Sequence, residues 1–171
     1  RDIVKKAGLN MGSATKQAID QMAVHMANLY YFMTKEMLEE YGDGAKEVIK
    51  RAIILFGEYR GREIAKRVLA DGKELTIENL DAYYDIPLEE GWLPDRKYEG
   101  DRKYSTTPVC AQAEVWKQWG WQEVGHLYCY IDAAIRRGYS SLSNGRKVVF
   151  KPVKNTLLGD DCCSSLTVYE D

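Results

Sequence analysis

Three side chains with reactive chemistry recur at helical spacing in the C-terminal third of the chain: Cys129, Asp132 and Arg136. At about 100° per residue they fall within roughly 60° of one another on one helix face, beside a core stripe of Val124, Leu127, Tyr128, Ile131 and Ile135. A thiol, a carboxylate and a guanidinium so placed can serve one small molecule as nucleophile, acid-base group and anion clamp. The same residues also read as an exposed Asp132–Arg136 pair worth about 0.3–0.5 kcal/mol beside an inert cysteine. A strand over residues 127–131 would disperse the face altogether. His126 lies three residues before Cys129, and a base activates a thiol only where the two side chains touch.

All four cysteines, Cys110, Cys129, Cys162 and Cys163, lie in the last 62 residues. Adjacent cysteines rarely bridge each other and a domain of this size needs no staple, so free thiols, a reducing compartment and a cytoplasmic location are expected. Cys110, Cys129, Cys163 and His126 would make a tetrahedral zinc set. Structural zinc sites carry spaced Cys pairs, however, and the one close pair here is the abutting Cys162-Cys163. No metal and no cofactor are expected. Between two candidate strands, Gly159, Asp160 and Asp161 read as a turn whose carboxylates can bond nearby amides. Cys163 then starts a strand facing a pocket, with Cys162 on the opposite face.

The elements that must position these groups can be read from periodicity. Ile19, Met22, Ala23, Met26, Leu29, Tyr30, Met33 and Met37 form one helical stripe over residues 15–41, read as core packing, with His25 at its edge as a structural residue. A second helix is expected from Asp43 to Gly57 and a third to Gly72; Gly57 and Gly61 mark either a turn or a close approach. Thr76 caps a short helix to Tyr84. Residues 85–106, with Pro87, Gly91, Pro94 and Gly100, read as a long loop. Tyr83, Tyr84, Trp92, Tyr98 and Tyr104 in or beside it suit a lid over a pocket. A helix follows at residues 112–119, another runs from Trp121 to Arg137, and strands are expected at 148–153 and 165–169. The whole predicts one α+β domain over residues 1–171, with N-terminal helices packed on a C-terminal antiparallel sheet: a helical part at about 15–84, the loop at 85–106 and a mixed α/β part at 107–171.

Composition narrows the function. The 171 residues are 45% apolar and 29% charged with a formal charge of −2, so there is material for a core and no basic footprint for nucleic acid. The longest apolar run, Ala52 to Phe56, is far short of the ~20 residues that span a bilayer. The first residue is Arg1, which leaves a removed leader open. A small-molecule substrate is the expected partner, with neither nucleic acid nor membrane, and self-association stays open.

Cys110, the run Leu-Tyr-Cys129-Tyr-Ile-Asp132 and the run Asn155-Thr-Leu-Leu-Gly159-Asp160-Asp-Cys-Cys163 together resemble the aminothiazoline-carboxylate hydrolase family. Gly57-x3-Gly61-x2-Ile64-Ala65 resembles that family's helical half, so the resemblance covers residues 40–171 in outline. It implies hydrolysis of a cyclic amidine-type C–N bond in 2-amino-thiazoline-4-carboxylate, opening the ring toward N-carbamoyl-cysteine. Under that resemblance Cys129 or Cys163 attacks the amidine carbon, Asp132 or Asp160 moves the proton, and Arg136 holds the carboxylate. Cys110, His126 and Asp160 complete the substrate contacts. The segment after Cys163, Ser-Ser-Leu-Thr-Val, is more polar than the family pattern. The Gly-Asp-x-x-Cys ending also resembles vinyl-reductase-type domains, which makes a non-catalytic small-molecule-binding domain the alternative. A zinc-dependent hydrolase is a third reading.

Overall fold

The computed structural model describes residues 16–86, 92 and 94–170. Helices α1 (Lys16–Tyr41), α2 (Gly44–Ala70) and α3 (Ile77–Ala82) precede strands β1 (Asp95–Glu99) and β2 (Arg102–Thr107). Helices α4 (Ala111–Gln118), α5 (Gln122–Tyr128) and α6 (Tyr130–Ser140) follow, then β3 (Lys147–Lys154), a 3-10 turn (Thr156–Leu158) and β4 (Cys163–Glu170). The strands form one antiparallel sheet in the order β1-β2-β4-β3. The fold is α+β, with the N-terminal helices reaching the sheet through α6, which packs on β3. Among the described residues no helix is long and apolar enough to cross a membrane.

One contact organises the helices. Helix α2 is continuous through Gly57 and Gly61, where two helices with a break were expected, because both glycines serve the close approach and neither makes a turn. A Cβ at Gly61 would overlap the Ile135 carbonyl oxygen and lie 2.6 Å from the Tyr139 nitrogen; one at Gly57 would lie 2.6 Å from the Ala134 Cβ. Gly138 of α6 answers from the other side, its absent Cβ facing the Glu58 backbone. Around this crossing Ile64, Ala65, Val68, Ile131, Ile135 and Tyr139 form a buried core with Ile77, Leu80 and Val148. Ser140 fixes α6 to the sheet: its hydroxyl accepts from the Val148 amide at 2.7 Å. Thr76 caps α3 as expected, its hydroxyl accepting from the Asn79 amide at 3.1 Å.

A second core lies between α1 and α4, built from Ala27, Tyr31, Ala113, Val115, Trp116 and Leu157. The Trp116 indole donates to the Ala27 carbonyl at 3.0 Å, which small residues on α1 permit. This corrects the reading of α1. Its buried face is Ile19, Ala23, Ala27, Tyr31 and Thr34, whereas Met22, Met26, Leu29 and Met33 are exposed. Alanines give a bulky Trp a seat that methionines would fill.

Two further expectations change. Residues 95–107 are not loop but a hairpin, closed by Gly100 and Asp101 with Glu99 opposite Arg102. Its strands, Asp-Arg-Lys-Tyr-Glu and Arg-Lys-Tyr-Ser-Thr-Thr, lack apolar alternation because β1 is a largely exposed edge strand. Residues 87–91 and 93 of the expected loop lie outside the described residues. The helix expected from Trp121 to Arg137 is two, α5 and α6, meeting at Cys129.

Replacing Gly61 by Ala should destabilise the protein by about 3 kcal/mol or more, because backbone on both sides blocks the added methyl. Gly44→Ala, with open space around it, should be neutral or stabilising by up to about 1 kcal/mol. Urea unfolding of the two variants checks this; equal effects would contradict the role of the crossing.

Candidate active site

A cavity of about 920 Å³ opens between the two cores. Six of the residues singled out in sequence line it: Cys110, His126, Cys129, Asp132, Arg136 and Cys163. Asp160 does not. It is exposed, and its carboxylate accepts from the Asn155 amide at 2.7 Å, so it serves the turn before β4. Cys162 also lies outside the lining. From the segment expected to form a lid, Asp85, Ile86, Trp92, Pro94, Arg96, Lys103 and Ser105 contribute to the walls.

Arg136 is the most constrained of these groups. Helix α6 carries it inward, with only 7% of its side chain exposed. Its Nη1 donates to the Asp132 carboxylate at 3.2 Å and to the Asp132 carbonyl at 3.1 Å. Its guanidinium lies over the Phe150 ring, 4.9 Å from the centroid. The Nε is buried and has no hydrogen-bond partner. Burial alone works against its charge, but Tyr84, Asp132 and Asp81 outweigh that, so the group stays cationic. An unpaired buried N–H beside a cavity is costly unless a ligand satisfies it.

Two of the pocket thiols, Cys129 and Cys110, are not activated. Burial pushes Cys129 up to about 12; a hydrogen bond from Asn155 opposes this only partly, and Asp132, Cys110 and Cys163 add to it. Burial likewise raises Cys110. Cys163 lies 3.6 Å from the Thr156 hydroxyl. His126 meets the Tyr130 ring edge-on at 5.9 Å between centroids, not the Cys129 sulfur, and burial lowers its pKa. All four cysteines are free. Among the described residues no group of three or more His, Cys, Asp or Glu side chains is placed to hold a metal ion.

Sequence reasoning missed a second charged pair. Lys103 of β2, with 3% of its side chain exposed, donates to both oxygens of Asp81 on α3, at 2.7 and 2.9 Å. Tyr98, opposite Lys103 in the hairpin, donates to the same carboxylate at 2.6 Å. Burial and the Arg136 charge bring Lys103 down to about 8, against the pull of Asp81. Arg60 and Asp85 form a third pair at 2.6 and 2.8 Å at the cavity wall. The dipeptide Gly100-Asp101 between tyrosine-bearing segments was the available hairpin signal. It would have placed Lys103 and Tyr98 across from each other.

A model of the family described as L-2-amino-thiazoline-4-carboxylic acid hydrolase matches residues 22–165. No curated protein matches the chain. Among solved structures, the chain is similar to a trafficking protein particle complex subunit 3 from Naegleria fowleri, covalently bound to palmitic acid. The TM-score is 0.54 at 15% identity, covering 87% of this chain and 95% of that one. At that identity the likeness is one of fold.

Two outcomes follow from the electrostatics. At pH 8 Cys129 should react with iodoacetamide at least tenfold more slowly in the folded than in the urea-unfolded protein, as followed by peptide mapping, since only the thiolate is nucleophilic. In Asp81→Asn the Lys103 amine loses the anion that favours its charged form, so its NMR titration midpoint should fall below about 8. An unchanged midpoint would remove Asp81 from the account.

Proposed function

The chain belongs to the L-2-amino-thiazoline-4-carboxylic acid hydrolase family, and from that premise we propose that it opens a small cyclic amidine acid by hydrolysis in the cavity between the two cores. The observation that carries this is the unpartnered, buried Nε of Arg136 beside a cavity-lining carboxylate, Asp132. Arg136 offers the substrate carboxylate a charge-assisted bond. That fixes the ring against Asp132, which takes a proton from the attacking water.

The chemistry assigns the bond. Water adds to the ring carbon that carries both nitrogens, and a tetrahedral intermediate collapses with loss of the ring sulfur. The sulfur leaves with a proton, the carbon becomes a urea carbonyl, and the product is N-carbamoyl-cysteine. Both nitrogens remain on that carbon, so the bond broken is C–S; this corrects the C–N bond expected from the sequence. Direct attack by water suits Cys129, whose thiol is kept protonated at neutral pH by burial. Cys129 and Cys110 then line the pocket as neutral thiols beside Cys163, and four free cysteines suit a cytoplasmic protein.

The second reading, a non-catalytic small-molecule-binding domain, is favoured by the same inert thiols. It is also favoured by the fold shared with a subunit that is covalently bound to palmitic acid. Incubation with 2-amino-thiazoline-4-carboxylate and related cyclic amidines, read by mass spectrometry, separates the two. Ring opening should be seen, with kcat lowered 100-fold or more in Asp132→Asn and KM raised in Arg136→Met. Cys129→Ala should keep kcat within a few fold. No opened ring anywhere in the panel supports the binding reading, and loss of turnover in Cys129→Ala restores a covalent route.

A further inference from the structure

A ring acid of the family's size has about nine non-hydrogen atoms, and at water's share of roughly 30 Å³ each it fills less than about 300 Å³. The cavity measures about 920 Å³, so most of it is not explained by the ring. The remaining space has a chemistry of its own. Ile19, Met22, Ala23 and Met26 of α1 line it at i, i+3, i+4 and i+7, which is one helix face. Met22 is 59% exposed and Met26 41%, and neither belongs to the buried cores. Methionines presented to a cavity are deformable apolar contacts that accommodate variable chains.

The charged end is supplied from elsewhere. Arg136 stands on α6 and Lys103 on β2, which pack against α2 and β4, whereas α1 packs chiefly on α4. Both cations are almost fully buried, each against one carboxylate, and the Arg136 Nε is unpartnered. The Arg136 charge also depresses the Lys103 amine, as expected for two cations facing one space. An anion between them would relieve that repulsion and satisfy the Nε.

We infer that the cavity takes an amphiphilic carboxylic acid, with its carboxylate at Arg136 and Lys103 and an apolar chain or substituent lying along the Ile19–Met26 face of α1. This rests on the reading of Arg136 as the carboxylate's partner, and it extends the substrate class from a bare ring acid to one carrying an apolar group.

Calorimetric titration of the full chain with hexanoate, octanoate and decanoate, below micellar concentrations, and with decanol tests it. Affinity should rise roughly three- to fourfold per methylene, and decanol should bind at least tenfold more weakly than decanoate. In a Met22→Glu/Met26→Glu variant, two exposed positions, the gain with chain length should disappear while the melting temperature stays near that of the parent. Arg136→Met should abolish the preference for acid over alcohol. Should that variant fail to fold, the acid-to-alcohol ratio of the parent protein decides the point. Affinity independent of chain length, or decanol binding as well as decanoate, overturns the inference. Ring opening without chain-length dependence overturns this inference and leaves the hydrolase reading standing; chain-length dependence without turnover does the reverse.

Discussion

Backbone meets backbone where α2 crosses α6, and the rest of the structure depends on that approach. Gly57 and Gly61 on one helix and Gly138 on the other remove the side chains that would hold the axes apart. Close contact lets Ile64, Ala65 and Val68 interlock with Ile131, Ile135 and Tyr139 in one dry core. It also sets the rotation of α6. With Ile131 and Ile135 committed to the core, Asp132 and Arg136 must turn toward the neighbouring space, and that space is the cavity. The site is thus a by-product of how tightly two helices pack.

The cavity exists because the molecule has two cores instead of one. Helix α1 gives its small-residue face to Trp116 and Tyr31 gives its ring to Trp119, stacked at 4.6 Å. This packing draws α1 toward α4 and leaves the floor between the cores unfilled. That space is open to solvent, with Met22 and Met26 exposed on its wall. Its walls combine apolar side chains with three ion pairs, the pattern of a pocket that binds an apolar body and orients a few polar atoms.

Burial decides which of those polar groups keep a charge. Arg136 and Lys103 have comparable burial, yet Arg136 stays cationic while Lys103 is brought to about 8, because a guanidinium is far harder to deprotonate and because Arg136 itself repels Lys103. The thiols lack such support. Cys129, removed from water and facing Asp132 and two other thiols, is most stable protonated. In the proposed reaction, chemistry at this site falls to carboxylate and guanidinium, and Cys129 contributes surface.

Local pattern by itself determined a good deal. The α1 helix over residues 16–41, the Thr76 cap, the α4 helix, the paired C-terminal strands and the α+β class follow from periodicity and from side chains that act on their own backbone. The same holds for the segments that carry Cys110, Asp132, Arg136 and Cys163, whereas the break between α5 and α6 at Cys129 does not show in the local pattern. Tertiary structure decided the rest. Whether Gly57 and Gly61 make a turn or a contact depends on α6, which lies some seventy residues away. Whether α1 buries methionines or alanines depends on where Trp116 seats its ring. The β1–β2 hairpin is polar because its partner β4 and the Asp81 carboxylate stabilise it, neither of which a local window contains. Lys103 reads as an ordinary surface lysine until Asp81, 22 residues earlier, takes both of its bonds. Backbone conformation is a local preference and shows in the order of residues. Desolvation, charge pairing and empty volume are properties of whatever surrounds a group, and they come into being only when distant parts of the chain close around it.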